Sequence, residues 1–108
     1  MGYVYLLLEV DKNGNERHKI GITKNNPELR VKQLQTGNPA KISLLKFYES
    51  DNYLKVERWM HRLYFNSKTE ADNEWRNLND EEVISFLVEC KKADETISFL
   101  KKTNPFVN

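Results

Sequence analysis

The sequence predicts a small α+β domain in which a three-stranded, mainly antiparallel sheet is flanked by helices, with one more helix at the C-terminus. Three observations lead to this prediction. The N-terminal part has two apolar segments on either side of an Asn-Gly pair, which is typical of a β-hairpin. Later segments carry apolar residues at helical spacing. The 108 residues, of which 39% are hydrophobic and 31% charged, suit a globular chain with one core.

The predicted hairpin opens the chain. Residues 2–10 are rich in Tyr, Val and Leu, as expected for a buried strand. The dipeptide Asn13-Gly14 suits a tight turn with positive φ angles. Residues 17–23 then form the returning strand.

A short helix and a third strand follow the hairpin. Asn26 can cap the helix and Pro27 suits its first position, so we predict this helix over residues 27–36. Gly37 is the residue expected to end it. Residues 41–50, KISLLKFYES, are predicted as the third strand.

The second helix is predicted at about residues 52–65, after a cap at Ser50 or Asp51. Its apolar residues recur at helical spacing, and the expected buried stripe comprises Val56, Met60, Leu63 and Tyr64.

A polar loop with a short extended piece at Trp75 leads to the last helix, predicted at about residues 80–102. Asn79 and Glu82 match a capping box at its start. Its apolar seam has heptad-like spacing and comprises Val83, Phe86, Cys90, Ala93, Ile97 and Leu100. We expect this helix to pack either on its own domain or on a second copy of the chain.

Composition excludes several kinds of protein. The net charge of +1 excludes a large basic field, so any nucleic-acid contact must come from a local patch. A single cysteine, Cys90, excludes a disulfide framework and a cysteine metal cluster. No apolar run approaches the roughly 18 residues of a membrane span, and the N-terminus lacks a basic leader region. We therefore expect a cytoplasmic protein without a membrane segment.

Alternation along the hairpin predicts a glycine on a sheet face that also carries polar side chains. If Ile20 packs in the core, then Tyr5, Lys19 and Gly21 share the opposite face. Gly21 then either leaves room for a backbone or a phosphate to approach, or it relieves a bulge or a tight helix contact.

Three further side chains suit phosphate or metal chemistry. Arg30, one turn into the first helix, offers a guanidinium that can bind phosphate with two hydrogen bonds; the alternative is a solvated surface position. Glu57 and His61 are one turn apart on the second helix. They can share a metal ion, and His61 can act as a general base or a phosphate contact. The alternative is a surface pair that contributes a few tenths of a kcal/mol.

Taken in order, these segments resemble the GIY-YIG nuclease domain, and more closely its phage and bacterial branch found in phage T5-like open reading frames. YVY at residues 3–5 corresponds to the first signature, and KIG at residues 19–21 to the second. The further motifs of that branch are similar to HKIGIT, QLQTGNP, ERWMH and EW in this sequence. The resemblance covers about residues 2–78. We therefore expect a domain over residues 1–78 and a C-terminal helix with its tail over residues 79–108.

The resemblance implies an endonuclease that depends on Mg²⁺ or Mn²⁺. In the family a glutamate holds one divalent cation, an arginine holds the scissile phosphate, and a tyrosine with a second tyrosine or a histidine helps to activate the attacking water. These roles agree with the needs of phosphodiester cleavage. The expected catalytic set is Tyr5, Lys19, Arg30, Glu57 and His61, with Glu57 as the metal ligand. The expected nucleic-acid contacts are Tyr3, Lys19, Gly21, Lys24 and Arg30.

The sequence departs from the family pattern at the second signature. Lys19 stands where better-studied members have a tyrosine, and a lysine can bind phosphate or act as a base. His18 stands where this branch often has tyrosine, but alternation points it to the opposite face. His61 can supply the missing acid or base function. The late asparagine of the family site corresponds to Asn73 or Asn77.

The leading hypothesis is therefore a small, phage-encoded, metal-dependent DNA endonuclease. One alternative is a domain that binds nucleic acid without cleaving it, and another is a protein-interaction module that uses the C-terminal helix. DNA is the expected partner, with RNA not excluded. We expect either weak cleavage of low specificity or a target specificity that comes from a homodimer or a partner protein.

Overall fold

The computed structural model describes residues 1–64 and 75–103. Along the chain, the elements are β1 (Gly2–Val10), β2 (Glu16–Thr23), α1 (Pro27–Gln35), β3 (Lys41–Ser50), α2 (Tyr53–Tyr64), β4 (Trp75–Arg76) and α3 (Asp80–Thr103). The strands form one antiparallel sheet in the order β3-β1-β2-β4. This confirms the predicted α+β fold with its antiparallel sheet and C-terminal helix. The extended piece expected at Trp75 adds a two-residue fourth strand. Within the described ranges, no helix combines the length and the apolar content needed to cross a bilayer.

The hairpin connection spans residues 11–15 and differs from the tight turn that was predicted. Only Gly14 has a positive φ, +82°, so Asn13 lacks the left-handed conformation that a two-residue type I′ turn requires. Instead, the backbone N–H groups of Asn13 and Asn15 donate to the Asp11 carboxylate at 2.8 and 2.9 Å. The hydrogen bond from the Asn15 backbone is the main reason why the pKa of Asp11 lies below its ordinary value. The side chain of Asp11 therefore closes the hairpin.

The first helix, α1, begins and ends close to its sequence signals. Asn26 Oδ1 accepts a hydrogen bond from the Glu28 backbone N–H at 2.8 Å, and Pro27 occupies the first helical turn. Gly37, just beyond the helix, has a φ of +74°, which favours glycine. Local signals were sufficient here because each of these contacts spans only a few residues.

The start of α2 differs from the predicted cap at Ser50 or Asp51. Asn52 directly precedes the helix, and Ser50 Oγ accepts its backbone N–H at 2.8 Å. Ser50 Oγ and Asn52 Nδ2 both donate to Asp94 Oδ1 on α3, at 2.9 and 2.7 Å. Tyr48 donates its hydroxyl to the other Asp94 oxygen at 2.8 Å. Asp94 thus ties the end of β3 and the start of α2 to α3.

Apolar side chains cover both faces of the sheet. On one face, α2 and α3 enclose the larger core, which includes Val4, Leu6, Ile20, Val56, Met60, Phe86, Cys90, Ala93 and Ile97. On the other face, α1 packs against a smaller cluster of Tyr5, Leu7 and Ile42, with Val31, Leu34 and Leu44 at its edge. The sheet therefore separates an α1 side from an α2–α3 side.

The expected burial of two residues in the predicted apolar stripes of α2 and α3 is wrong. Leu63 is 45% exposed and Leu100 is 40% exposed. The buried positions of α2 end in two steps of four, at Met60 and Tyr64, so Leu63 falls on the flank of the stripe. The 24 residues of α3 extend well beyond the 12 of α2, which leaves Leu100 past the end of the shared core. The rest of the α3 seam packs on its own domain.

The predicted capping box of α3 is confirmed. Glu82 N–H donates to Asn79 Oδ1 at 2.8 Å, and Asn79 N–H donates to Glu82 Oε1 at 3.0 Å. Both contacts join residues three positions apart. They satisfy backbone donors at the helix start, which has no intrahelical partner for them.

Cys90 on α3 should be almost unreactive in the folded protein. It is fully buried, and burial raises the pKa of its thiol to about 12. At about pH 8 we expect reaction with Ellman's reagent only as fast as the structure opens, because the thiolate is the reactive form. The unfolded thiol has a pKa of about 8.5. Stability should therefore decline as pH rises above about 8.5, where only the unfolded thiol ionises. Equal rates of Cys90 labelling in buffer and in urea would contradict the predicted protection of the thiol.

Candidate functional site

Tyr5 and Gly21 are paired across the β1–β2 hairpin, on the α1 side of the sheet. Tyr5 is 2% exposed. A Cβ added to Gly21 would lie 2.5 Å from the Tyr5 phenol oxygen and 2.6 Å from Cζ, closer than packed atoms approach. The glycine is therefore required by the tyrosine ring. The Tyr5 side chain fills the space next to Gly21, a reason for the glycine that neither interpretation of the sequence gave.

We expect Gly21→Ala to destabilise the protein by about 1–3 kcal/mol, the usual cost of overpacking. The added methyl group must displace the Tyr5 ring, which is enclosed by its neighbours. Urea unfolding of the single variant and of the same substitution in a Tyr5→Ala background would measure this. In that background the cost should nearly vanish, because the two positions are coupled. An equal cost in both backgrounds would contradict the assignment.

His18 and Lys19 lie on opposite faces, as alternation predicts. His18 is buried, and its Nδ1 accepts the Leu78 backbone N–H at 3.0 Å. In the neutral ring this places the proton on Nε2, so His18 helps to hold the segment before α3. Lys19 is partly exposed and lies on the Tyr5 face, between β1 and β4. Lys19 is therefore the residue of this pair that can face a ligand on the α1 side.

Glu57 and His61 form a pair on α2, next to β2. Glu57 Oε2 lies 3.5 Å from His61 Nε2, and the two side chains are 23% and 29% exposed. His61 Nε2 also lies 3.2 Å from the backbone carbonyl oxygen of Ile20. A carbonyl can only accept a hydrogen bond, so this contact requires the proton on Nε2. The β2 backbone therefore helps to fix the orientation of the His61 ring.

Arg30 lies on α1, whose Val31 packs against the Tyr5 cluster. It is partly buried, and its Nη1 lies 3.4 Å from Gln33 Oε1, which is a long hydrogen bond. α1 is on the Tyr5 side of the sheet, whereas Glu57 comes from α2 on the other side. Arg30 and Glu57 therefore lie on opposite faces of the sheet.

Successive residues of β2 face the two sides of the sheet. Lys19 and Gly21 face the α1 side, while Ile20 between them enters the α2–α3 core and contacts His61 through its carbonyl. The structure thus brings Tyr5 beside Gly21, and Glu57 beside His61. The other predicted site residues lie on different elements. Arg30 is on α1, Tyr3 is at the start of β1, and Lys24 is exposed just after β2.

Sequence reasoning placed Tyr5 and Gly21 on one face but did not pair them directly, and it missed the contact of His61 with the Ile20 carbonyl. The direct Tyr5–Gly21 pairing could have been found by counting the register outward from the hairpin loop, because paired residues are equidistant from it. The Ile20 carbonyl has no sequence signal, since every residue carries that group.

A metal ion bound at the described residues would have few protein ligands. Among them, no three His, Cys, Asp or Glu side chains are grouped to enclose a metal ion. Glu57 fits as a single carboxylate ligand, a mode open to Mg²⁺, which keeps several of its waters. Of the two candidate late asparagines, Asn73 lies outside the described residues and Asn77 is exposed directly after β4.

A comparison with protein families matches residues 2–100 to the T5orf172 domain. The match extends past residue 78, where the resemblance read from the sequence ended, and it includes most of α3. This agrees with the burial of α3 in the shared core. No curated protein and no solved structure matches the chain.

Proposed function

Since the chain belongs to the T5orf172 domain family, the GIY-YIG-related branch that its motifs resemble, we propose that it is a metal-dependent DNA endonuclease. Membership of this family indicates a nuclease-like or DNA-binding domain. Our proposal goes further, to the hydrolysis of phosphodiester bonds. The family match carries the proposal, because the matched segment includes Tyr5, Arg30 and Glu57.

In this proposal a phosphodiester lies at the edge of β2, beyond the two residues that pair with β4. Arg30 approaches it from one face of the sheet and the Glu57–His61 pair from the other. Arg30 donates two parallel hydrogen bonds to the two non-bridging oxygens. Lys19 adds a second positive charge on the Tyr5 face. Because Tyr5 is almost completely buried, its phenol suits a positioning role better than direct proton exchange with bulk water. The net charge of +1 means that DNA binding rests on these local contacts.

Glu57 is the residue that would hold Mg²⁺ or Mn²⁺. When bound, the cation supplies stabilisation of the charge that develops on the phosphate and the leaving oxygen. His61 donates from Nε2 to the Ile20 carbonyl, which orients the ring, and the imidazole would serve as the acid or base of the site. Glu57 and His61 would thus have separate roles on one helix face.

A DNA-binding domain without cleavage is the second candidate. Lys19 favours it, because a lysine binds phosphate but lacks the phenol that the better-studied GIY-YIG nucleases have at this position. The protein-interaction alternative is weaker, since most of the apolar seam of α3 is buried in its own domain. A homodimer or a specificity-conferring partner remains a proposal for how a target is selected.

Nicking of supercoiled plasmid in Mg²⁺, Mn²⁺ or EDTA tests the proposed function. We expect nicking with either cation and none in EDTA. An RNA of matched sequence serves as the competitor substrate. Nicking in EDTA would contradict metal dependence. Binding in a gel-shift assay without nicking in any cation would favour the second candidate.

A further inference from the structure

We propose that Tyr3 and Phe47 form an aromatic platform on which an unpaired base of a DNA strand stacks. The substrate class is then single-stranded DNA, or duplex DNA with unpaired bases at the cleavage site. The identity of the ligand as DNA rests on the proposed function. The position and chemistry of the platform rest on the structure.

The aromatic platform lies on the α1 side of the sheet and combines a partly buried Tyr3 with an exposed Phe47. The ring centroids of Tyr3 and Phe47 are 6.0 Å apart with an interplanar angle of 72°, an edge-to-face contact. Phe47 is 48% exposed although it lies in a strand. Its direct partner across the β1–β3 ladder is Tyr5. The platform therefore adjoins the Tyr5–Gly21 pair.

A β-bulge produces this placement. Leu6 pairs with Lys46 and Leu7 pairs with Leu44, so Leu45 is the extra residue of β3. Because of the bulge, Ile42 and Leu44 before it and Phe47 after it all face the α1 side. α1 packs against the earlier segment and leaves Phe47 open to solvent.

Charge around the aromatic platform favours one path for a DNA strand. Lys24 and Arg30 lie toward β2 and α1, and can contact phosphates there. On the other side of the platform Glu49, the β1-ladder partner of Tyr3, is exposed and repels phosphates. The backbone would therefore follow β2 and α1, with a base directed toward Phe47.

The aromatic platform selects unpaired bases for a geometric reason. In an intact duplex both faces of each base are already stacked on neighbouring base pairs, so a ring on a sheet surface cannot reach them. An unpaired base offers a free face, and aromatic side chains bind such faces in single-strand-binding proteins with little sequence preference.

Fluorescence anisotropy in EDTA tests the aromatic platform without cleavage. The probes are a labelled oligothymidine strand and a blunt duplex of the same length. We expect Phe47→Ala to weaken binding of the single strand about tenfold and to leave duplex binding unchanged. Phe47→Tyr should restore binding. Phe99→Ala is the matched control, because Phe99 is 63% exposed but lies on α3; it should bind as the unmodified protein does.

Three results would overturn the aromatic platform: no measurable single-strand binding by the unmodified protein, an equal loss with Phe99→Ala, or an equal loss on the duplex. If Phe47→Ala unfolds, Phe47→Leu keeps an apolar side chain in the strand without the ring, and the same loss is expected. Plasmid nicking with no effect of Phe47 would overturn the platform and leave the nuclease proposal. Phe47-dependent strand binding without nicking would do the reverse.

Discussion

Glu57→Gln should abolish metal-dependent nicking while leaving the protein folded. The amide keeps the shape of the side chain but removes the negative charge that would hold the cation. Loss of this charge stabilisation should reduce the cleavage rate by at least about a hundredfold. The fold should survive, because Glu57 is partly exposed and belongs to neither apolar cluster. Plasmid nicking and a thermal melt followed by circular dichroism would measure the two effects.

Glu95→Gln is the matched control for this experiment. Glu95 is an exposed carboxylate on α3, so the substitution makes the same change of charge away from β2. It should nick plasmid at the rate of the unmodified protein. If Glu57→Gln retains nicking, Glu57 does not hold the metal ion.

Arg30→Ala should slow cleavage far more than it weakens DNA binding. If the guanidinium contact tightens as charge develops on the phosphate, its removal acts on the transition state. We expect the single-turnover rate to fall about a hundredfold, with a much smaller change in Kd. The rate would be measured with saturating protein, and Kd by anisotropy in EDTA.

Two variants on the same helix make the Arg30 result specific. Arg30→Lys keeps the positive charge but loses the planar two-point contact, so it should recover only part of the rate. Lys32→Ala removes an exposed charge from the last turn of α1 and should leave the rate nearly unchanged. Equal losses in rate and in binding for Arg30→Ala would make Arg30 a simple phosphate anchor.

Most secondary structure could be predicted from the sequence because its signals are local. The first and third strands have the predicted bounds, 2–10 and 41–50. The cap at Asn26 and the capping box at Asn79 depend on contacts that span two or three residues. The hairpin was predicted correctly and its turn type was not, because both predictions used only the types of residues in the connection. The residue types indicated a turn, but the choice between turn geometries depended on the Asp11 side chain.

The candidate site was only partly predictable. Its residues were identified by type and order, and the Glu57–His61 pair follows from helical spacing alone. The reason for Gly21 was not predicted, because it depends on which residue of β1 lies opposite. The burial of His18 against Leu78 was also missed, because that hydrogen bond joins positions 60 residues apart.

The sequence by itself determined the class of fold, the order of the elements and the side-chain chemistry available for a phosphate. Only the tertiary structure decided which side chains meet. The bulge at Leu45 changes which residues of β3 face α1, so simple alternation would have placed Phe47 on the wrong side relative to Ile42. Strand register and bulges depend on pairing between distant segments. A local pattern can therefore predict a strand without predicting what its side chains contact.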